Sequence, residues 1–189
     1  ERQKQRQEIG CTDDQVLIVT ASRLSKKNAV HDLIASLNFL PEHFHLVIAG
    51  IGEDEEMLHA LIKENGLTDR VHFLGKKTHD ELPRILQSCE MFCRPSLSEG
   101  LGNAFLEAIA ARIPIVATQV GGIPDFLKDG ETGIFCQPNN PESIAQAVKR
   151  IQSNVELRDR LIKNADALVR DRYEWNGIAK KMEVLLLSL

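Results

Sequence analysis

The sequence lacks the signals of several common protein classes. No uncharged stretch reaches the roughly 18 apolar residues that a membrane-spanning helix needs. Lysine and arginine number 23 against 27 aspartates and glutamates, so there is no basic excess for general nucleic-acid binding. A net charge of only −4 with 43% hydrophobic residues excludes a disordered chain. We therefore expect a folded protein that has no nucleic acid as its partner.

Cysteine is scarce and irregularly spaced. The chain has four cysteines, with no C-x-x-C pair and no spacing typical of a metal site: Cys11, Cys89, Cys93 and Cys136. We interpret them as reduced thiols, which predicts a cytoplasmic protein. His43 and His45 have no third ligand nearby in the sequence, so we predict no metal site.

The first residues have little apolar content. The chain opens on ERQKQRQEIG, without an initiator methionine and without the apolar run of a signal peptide. We expect a piece of a longer protein, in which residues 1–13 are a linker or remnant and residues 14–189 form one domain. A chain of 189 residues suits a single domain with a sizeable core.

Short apolar runs alternate with segments of helical periodicity along the chain. Six runs are rich in β-branched residues and lack strict alternation, which predicts strands buried on both faces of a parallel sheet. They span residues 16–21, 45–50, 71–75, 91–96, 113–118 and 132–136. Pro141 after Asn140 predicts the start of a helical tail that runs nearly to the end. The alternation predicts one Rossmann-like α/β domain: a mostly parallel sheet of about six strands with helices on both faces.

This architecture predicts where a ligand binds. In open parallel sheets, ligands lie beyond the carboxyl ends of the strands, where helix N-termini present free N–H groups. The loops that follow the predicted strands are therefore the candidate site. Two familiar phosphate motifs fail there. Gly75-Lys76 lacks the upstream glycine of a P-loop, and Glu55 stands where a dinucleotide fingerprint beginning at Gly50 needs its third glycine.

The segment PSLSEGLGNAFLEAIA, residues 95–110, is more specific. Glu99 follows a strand, Gly102 permits close backbone approach, and a helix that carries Glu107 begins near Asn103. Free N–H groups at that helix start favour an anion such as a phosphate. Two carboxylates could then flank a ligand that has hydroxyls at both ends and a diphosphate between them. The alternative is that Glu99 caps the helix and Glu107 is a solvated or paired side chain.

The segment ASRLSKKN directly follows the first strand. It places Arg23, Lys26 and Lys27 on the loop at the carboxyl edge of the sheet. An arginine fork and a lysine charge suit a diphosphate leaving group that binds no metal. Runs of lysine are more often solvated surface, and that alternative stands for Lys26.

Together these segments resemble the carboxyl-terminal, donor-binding domain of the retaining group 1 (family 4) glycosyltransferases of GT-B fold. The similarity runs from about residue 14 to residue 187. It includes RLSKKN, HLVIAGIGED, VHFLGKKTHDEL, CRPSLSEGLGNAFLEAIA, TQVGGIPDFLKDGETGIF and YEW. Glu99 and Glu107 match the E-x7-E motif of that family. The resemblance implies transfer of a hexose, with retention, from a UDP-, GDP- or ADP-sugar, without a metal or other cofactor.

The resemblance also implies roles for individual residues. Arg23 and Lys27 look like the pair that stabilises the departing diphosphate, and Glu99 resembles the residue that contacts the transferred sugar. Lys26 is an alternative to Lys27, because the spacing from Arg23 is shorter than in many members of the family. The implied substrate-binding residues are Ser22, Lys26, Gly50, Gly75, Lys76, Lys77, Gly102, Asn103, Ala104 and Glu107.

Within that set, the backbone of Asn103 and Ala104 would bind the phosphates and Glu107 the ribose hydroxyls. The backbone from Gly75 to Lys77 would contact the nucleobase. Ser22 is a departure from the family pattern, which often has glycine before the arginine.

The resemblance implies a missing partner as well. An amino-terminal, acceptor-binding domain would complete the cleft, so we expect the chain alone to be inactive. Any peripheral membrane contact would be made through that missing domain, and a last helix would begin at Trp175. Two alternatives stay open: a nucleotide-sugar epimerase of GT-B-like fold, and a non-catalytic nucleotide-binding module.

Overall fold

The centre of the computed structural model, which describes residues 1–100, 102–173, 179 and 182–183, is a six-stranded sheet. The strands are β1 (Val16–Ala21), β2 (Phe44–Ala49), β3 (Val71–Gly75), β4 (Met91–Arg94), β5 (Ile115–Thr118) and β6 (Ile134–Cys136). All neighbours pair in parallel, in the order β3-β2-β1-β4-β5-β6. The predicted strands and their parallel pairing are confirmed, with bounds that differ by one or two residues.

Seven α-helices connect or flank these strands within the described residues. They are α1 (Arg2–Ile9), α2 (Val30–Ser36), α3 (Glu55–Glu64), α4 (Leu82–Ser88), α5 (Asn103–Ala110), α6 (Pro141–Gln152) and α7 (Val155–Arg172). The predicted tail from Pro141 is two helices, because the Asn154 side chain accepts the Leu157 amide and begins a new helix. The helix expected from Trp175 lies outside the described residues.

Helices cover both faces of the sheet, as the apolar runs predict. Strands β1, β2, β4 and β5 are buried along their whole length. Apolar side chains of α2, α3 and α6 form one core layer, and those of α1, α4 and α5 form the other. Helix α7 contributes to both layers. The chain is therefore one α/β domain with the Rossmann-like architecture predicted from the sequence.

The first residues differ from the expected linker. Helix α1 packs on α4, and Arg6 is only 2% exposed. The Arg6 guanidinium donates to the Ser88 carbonyl at 2.9 Å and pairs with Glu90 at 2.6 Å. Ile9 also lies in the core. The helix has no apolar stripe in its sequence, so its attachment depends on these tertiary contacts rather than on local periodicity.

One more expectation concerns membranes. Among the described residues, no helix is both long enough and apolar enough to cross a bilayer.

Candidate functional site

The order of the strands reverses between β1 and β4, the neighbours at the centre of the sheet. Loops that leave such a pair diverge and open a crevice at the carboxyl edge. An open cleft of about 920 Å³ lies there, within the range of sites for small organic ligands. Its lining includes seven of the predicted site residues: Ser22, Arg23, Gly50, Lys76, Lys77, Ala104 and Glu107. Residues that the sequence singled out on separate loops therefore lie together in one cleft at the carboxyl edge of the sheet.

Two glycines of the loop after β2 let it pack against the loop after β1. A Cβ atom on Gly50 would lie 1.8 Å from the Ser22 carbonyl oxygen, and one on Gly52 would lie 2.1 Å from that of Leu24. Glycine is therefore required there for close backbone contact rather than for a dinucleotide. Gly75 accepts the Gly50 amide at 2.8 Å, which joins a third loop to the same wall.

The two lysines of the loop after β1 lie in different surroundings. Lys26 lines a separate groove beside α2 and α3, together with His31 and Met57. Lys27 is exposed, and its carbonyl accepts the Leu97 amide at 2.7 Å, which ties the loop to the segment that carries Glu99. Neither lysine lines the cleft.

The amino terminus of α5 faces the same edge of the sheet. Gly102 precedes it with φ +68°, and a Cβ atom there would lie 2.7 Å from Phe105 Cδ2. Glycine therefore meets a steric as well as a conformational requirement. The first amides of an α-helix have no intrahelical acceptor, so Asn103 and Ala104 can donate to an anion.

The two glutamates of the E-x7-E segment lie in different environments. Glu107 lines the cleft with 31% of its side chain exposed, and its Oε1 accepts His79 Nδ1 at 2.9 Å. The Glu99 side chain is only 9% exposed and forms an ion pair with Arg94, with 2.5 Å between Oε2 and Nη2. Glu99 Oε1 also accepts the Gly100 amide. The interpretation of Glu99 as a helix cap does not hold, because no side chain caps α5.

Arg94 is a central residue that the sequence reading missed. Besides Glu99, it binds Asn28 Oδ1 at 3.0 Å, and Asn28 donates to the Arg23 carbonyl at 2.6 Å. The guanidinium also lies 5.6 Å from the centre of the Phe105 ring. Burial lowers the pKa of Arg94, and the Glu99 carboxylate opposes that shift. One buried cation thus joins the loop after β1 to the loop after β4. The sequence did carry a sign of this role, because Arg94 is a charged residue within an otherwise largely apolar predicted strand.

The loop after β5 supports Glu99 from its backbone side. A Cβ atom on Gly121 would lie 1.8 Å from the Glu99 carbonyl oxygen, and one on Gly122 would lie 2.6 Å from that of Gly100. The Gly122 amide also donates to the Glu99 carbonyl at 3.3 Å. The paired glycines therefore hold the position of the Glu99 loop.

Two side-chain contacts, an ion pair and a histidine–glutamate hydrogen bond, lie at the mouth of the cleft. Arg23 contacts Glu53 Oε2 through Nε at 3.1 Å and Nη2 at 3.0 Å. The pKa of Glu53 is lowered, mostly by its own backbone amide and then by Arg23. His79 is hydrogen-bonded to Glu107. Sequence reasoning missed Glu53 and His79, since both pairings join residues that are far apart along the chain.

Comparison with known proteins places these features in a family. The family described as "Glycosyl transferases group 1" matches residues 1–168. An uncharacterized glycosyltransferase of Methanocaldococcus jannaschii is 35% identical over 178 residues, which are 93% of this chain and 46% of that protein. The alpha-D-kanosaminyltransferase of Streptomyces kanamyceticus is 33% identical over 90% of this chain and 45% of its own length. The chain spans about half the length of these curated relatives.

Solved structures show the same relationship. Anabaena HepE in complex with UDP-glucose superposes with a TM-score of 0.92 and 26% identity, over 100% of this chain and 52% of that one. The C-terminal domain of a group 1 glycosyl transferase from Francisella tularensis superposes with a TM-score of 0.79 and 25% identity. In that case the match covers 93% of this chain and 94% of the other.

Proposed function

The chain belongs to the group 1 glycosyl transferases, and from that premise we propose that it is the donor-binding half of a retaining hexosyltransferase. The donor is a nucleoside-diphosphate sugar, and the acceptor-binding half is a separate amino-terminal domain. The main support is the cleft at the strand reversal, whose lining brings Arg23, Ala104 and Glu107 together.

Recognition of the nucleotide follows from the lining of the cleft. The Glu107 carboxylate accepts hydrogen bonds from the ribose hydroxyls, after it releases His79. The backbone from Gly75 to Lys77 contacts the base. Ser22 lines the same wall, and rotation of its side chain would bring the buried hydroxyl, which has no hydrogen-bond partner, to the donor.

Stabilisation of the leaving group is assigned to charges and amides. The free N–H groups of Asn103 and Ala104 bind the diphosphate at the start of α5. Arg23 turns from Glu53 to the diphosphate. The exposed Lys27 side chain lies outside the cleft lining and has to swing inward to add a second positive charge as the glycosidic bond breaks. These cations take the part that a metal ion has in other transferases, so transfer in this proposal is independent of metal. Exposed ion pairs such as Arg23–Glu53 are weak, so a ligand displaces them at little cost.

The transferred sugar is assigned to Glu99. Arg94 and the glycines of the β5 loop hold this carboxylate in one place before the donor binds. Positioning of this kind can lower a barrier by several kcal/mol. Because the acceptor site lies on another domain, the 189-residue chain binds the donor and does not transfer sugar by itself.

The first experiment is a calorimetric titration of the chain with UDP, GDP and ADP, in EDTA and again in Mg²⁺. We expect one nucleotide to bind selectively and equally well in both buffers. Glu107→Ala should weaken that binding by about 10- to 100-fold, the range for hydrogen bonds to a charged group. The exposed Glu142 on α6 provides the matched control, and Glu142→Ala should bind like the native chain.

Failure of all three nucleotides to bind at millimolar concentration would contradict the assignment of the donor site to this chain. Sugar transfer catalysed by the chain alone would contradict the two-domain part of the proposal. In the full-length enzyme, Arg23→Ala should lower kcat by about 100-fold, the effect of losing one donor to a developing negative charge. Undiminished turnover in that variant would refute the role of Arg23.

A further inference from the structure

The opposite edge of the sheet, where the strands begin, carries a cluster of metal-binding side chains. His45 is the second residue of β2, His72 is the second residue of β3, and Cys11 lies between α1 and β1. Their ligand atoms, one ring nitrogen from each histidine and the cysteine sulfur, all lie within 4.8 Å of one another. The third ligand that His45 lacks in the sequence is thus supplied by the fold.

The two histidine rings are hydrogen-bonded to each other, at a nitrogen–nitrogen distance close to that of a metal site. His45 Nδ1 and His72 Nε2 are 3.1 Å apart, and the two ring planes differ by 13°. Two zinc–nitrogen bonds of about 2.05 Å at a tetrahedral angle place the nitrogens about 3.3 Å apart. A zinc ion therefore requires the pair to separate by only a few tenths of an ångström.

The cysteine sulfur needs a larger movement. With a zinc–sulfur bond of about 2.3 Å, the sulfur of a tetrahedral site lies about 3.6 Å from each nitrogen. Cys11 therefore has to approach by no more than about 1.2 Å, which a change of its side-chain torsion can supply. On binding, zinc replaces the thiol proton, which passes to solvent.

Burial favours a specific ion over a loosely held one. Cys11 is 3% exposed and His45 is 7% exposed. Burial lowers the pKa of His45 to about 4, also lowers the pKa of His72, and raises the pKa of the Cys11 thiol to about 11, so zinc has to displace the proton of that thiol. Cysteine and imidazole together suit zinc better than the hard cations magnesium and calcium, which prefer oxygen.

We propose that Cys11, His45 and His72 bind one zinc ion at the amino edge of the sheet. The exposed Asp14 carboxylate, which acts electrostatically on His45, or a water molecule completes the four ligands. This site ties the segment that follows α1 to β2 and β3. Gly50 is five positions along the chain from His45, so the ion lies about 16 Å from the donor cleft and stabilises the fold without entering the transfer chemistry.

The test strips the chain with a chelator, removes the chelator, and measures zinc binding by competition with a chromophoric chelator. We expect one equivalent of zinc. Cys11→Ser, His45→Gln and His72→Gln should each weaken zinc binding at least about 100-fold. Loss of a residue that only supports a metal ligand can already cost about 100-fold, so loss of a ligand should cost no less. Cobalt in place of zinc should give a thiolate-to-cobalt charge-transfer band and the intense visible bands of tetrahedral coordination, both lost in Cys11→Ser.

Matched controls use groups of the same type outside the cluster. His43→Gln changes an exposed neighbouring histidine, and Cys136→Ser changes a buried cysteine whose hydrogen bond to the Ala117 carbonyl a serine can keep. Both should bind zinc like the native chain. Added zinc should raise the melting temperature of the native chain and the controls but not that of the three ligand variants.

Three results would overturn the proposal. They are less than one equivalent of bound zinc, equal zinc affinity in native and ligand variants, or a cobalt spectrum without the thiolate band. Circular dichroism of each metal-free variant first establishes that it folds. Of the three ligand variants, we expect His72→Gln to fold most readily, because the His72 side chain is only partly buried and glutamine can still hydrogen-bond to His45.

Discussion

Each end of β4 carries a buried arginine–glutamate pair, and the two pairs differ in how fully they are hydrogen-bonded. At the start of the strand, Arg6 binds Glu90 at 2.6 Å and donates to the carbonyls of Ser88, at 2.9 Å, and Thr12, at 3.0 Å. At the end, Arg94 contacts Glu99 and Asn28, and its buried Nε has no partner.

We interpret this difference as one between a structural anchor, the Arg6–Glu90 pair, and a functional site, the Arg94–Glu99 pair. A buried ion pair with its remaining hydrogen bonds satisfied is a structural element, because any change leaves several groups unpaired. A pair that leaves a buried donor unsatisfied needs a further explanation, and the proposed contact of Glu99 with the transferred sugar supplies one. The three predictions that follow test this division, from the largest expected effect to the smallest.

The largest effect should come from the amino end. Arg6→Met leaves the Glu90 carboxylate without its buried cation and several carbonyls without a donor, so the free energy of unfolding should fall by about 3–5 kcal/mol. Urea denaturation measures this change. Nucleotide affinity, measured where the variant is still folded, should stay within a factor of about two, because the contact lies at the far edge of the sheet.

Arg2→Met is the matched control, since Arg2 pairs with the same glutamate but is 53% exposed. Its cost should stay within about 0.5 kcal/mol. If the two variants were equally stable, the description of Arg6 as an anchor would be wrong.

The carboxyl end should behave differently when both partners are replaced. Arg94→Leu alone leaves Glu99 buried and unpaired, and should cost about 3 kcal/mol. Arg94→Leu combined with Glu99→Leu should recover most of that loss, because apolar residues of similar volume can replace a buried pair. Urea denaturation of the single and double variants measures the coupling free energy between Arg94 and Glu99.

The double variant also separates stability from function. In the full-length enzyme, it should fold and bind nucleotide but lose sugar transfer, since Glu99 is assigned to the sugar. Transfer at the native rate by that variant would show that the pair at the carboxyl end is as structural as the one at the amino end.

The smallest effect should come from the exposed pair at the mouth of the cleft. Glu53→Gln frees Arg23 from a competing carboxylate, so affinity for a nucleoside diphosphate should rise about two- to fivefold in calorimetry. Glu55→Gln removes a negative charge from the same lining without freeing Arg23, and should change affinity less. Equal gains in both variants would attribute the effect to overall charge instead of the Arg23–Glu53 contact.

Several features of the site were predictable because they depend on local pattern. The strand after which Glu99 lies, the glycine before α5 and the basic loop after β1 are each readable from a few consecutive residues. No helix was predicted where α4 lies; just before it, the Glu81 carboxylate accepts hydrogen bonds from the Thr78 amide and hydroxyl.

Other features of the site could be described only from the distances between side chains in the structure. Lys26 and Lys27 are adjacent in sequence, yet only Lys26 lines the groove beside α2 and α3. The two E-x7-E glutamates look alike in sequence, while the structure buries one against Arg94 and leaves the other at the cleft.

The architecture follows from local patterns in the sequence, because strands buried on both faces must be apolar runs and glycines must stand where backbones touch. The same patterns predicted the edge of the sheet at which the open cleft lies. The structure was needed to show which polar groups meet: Arg6 with Glu90, Arg94 with Glu99, and Cys11 with His45 and His72. Apart from Arg94 and Glu99, which are five positions apart, these contacts join residues that are tens of positions apart. Their energies depend on burial and distance, which no local pattern records.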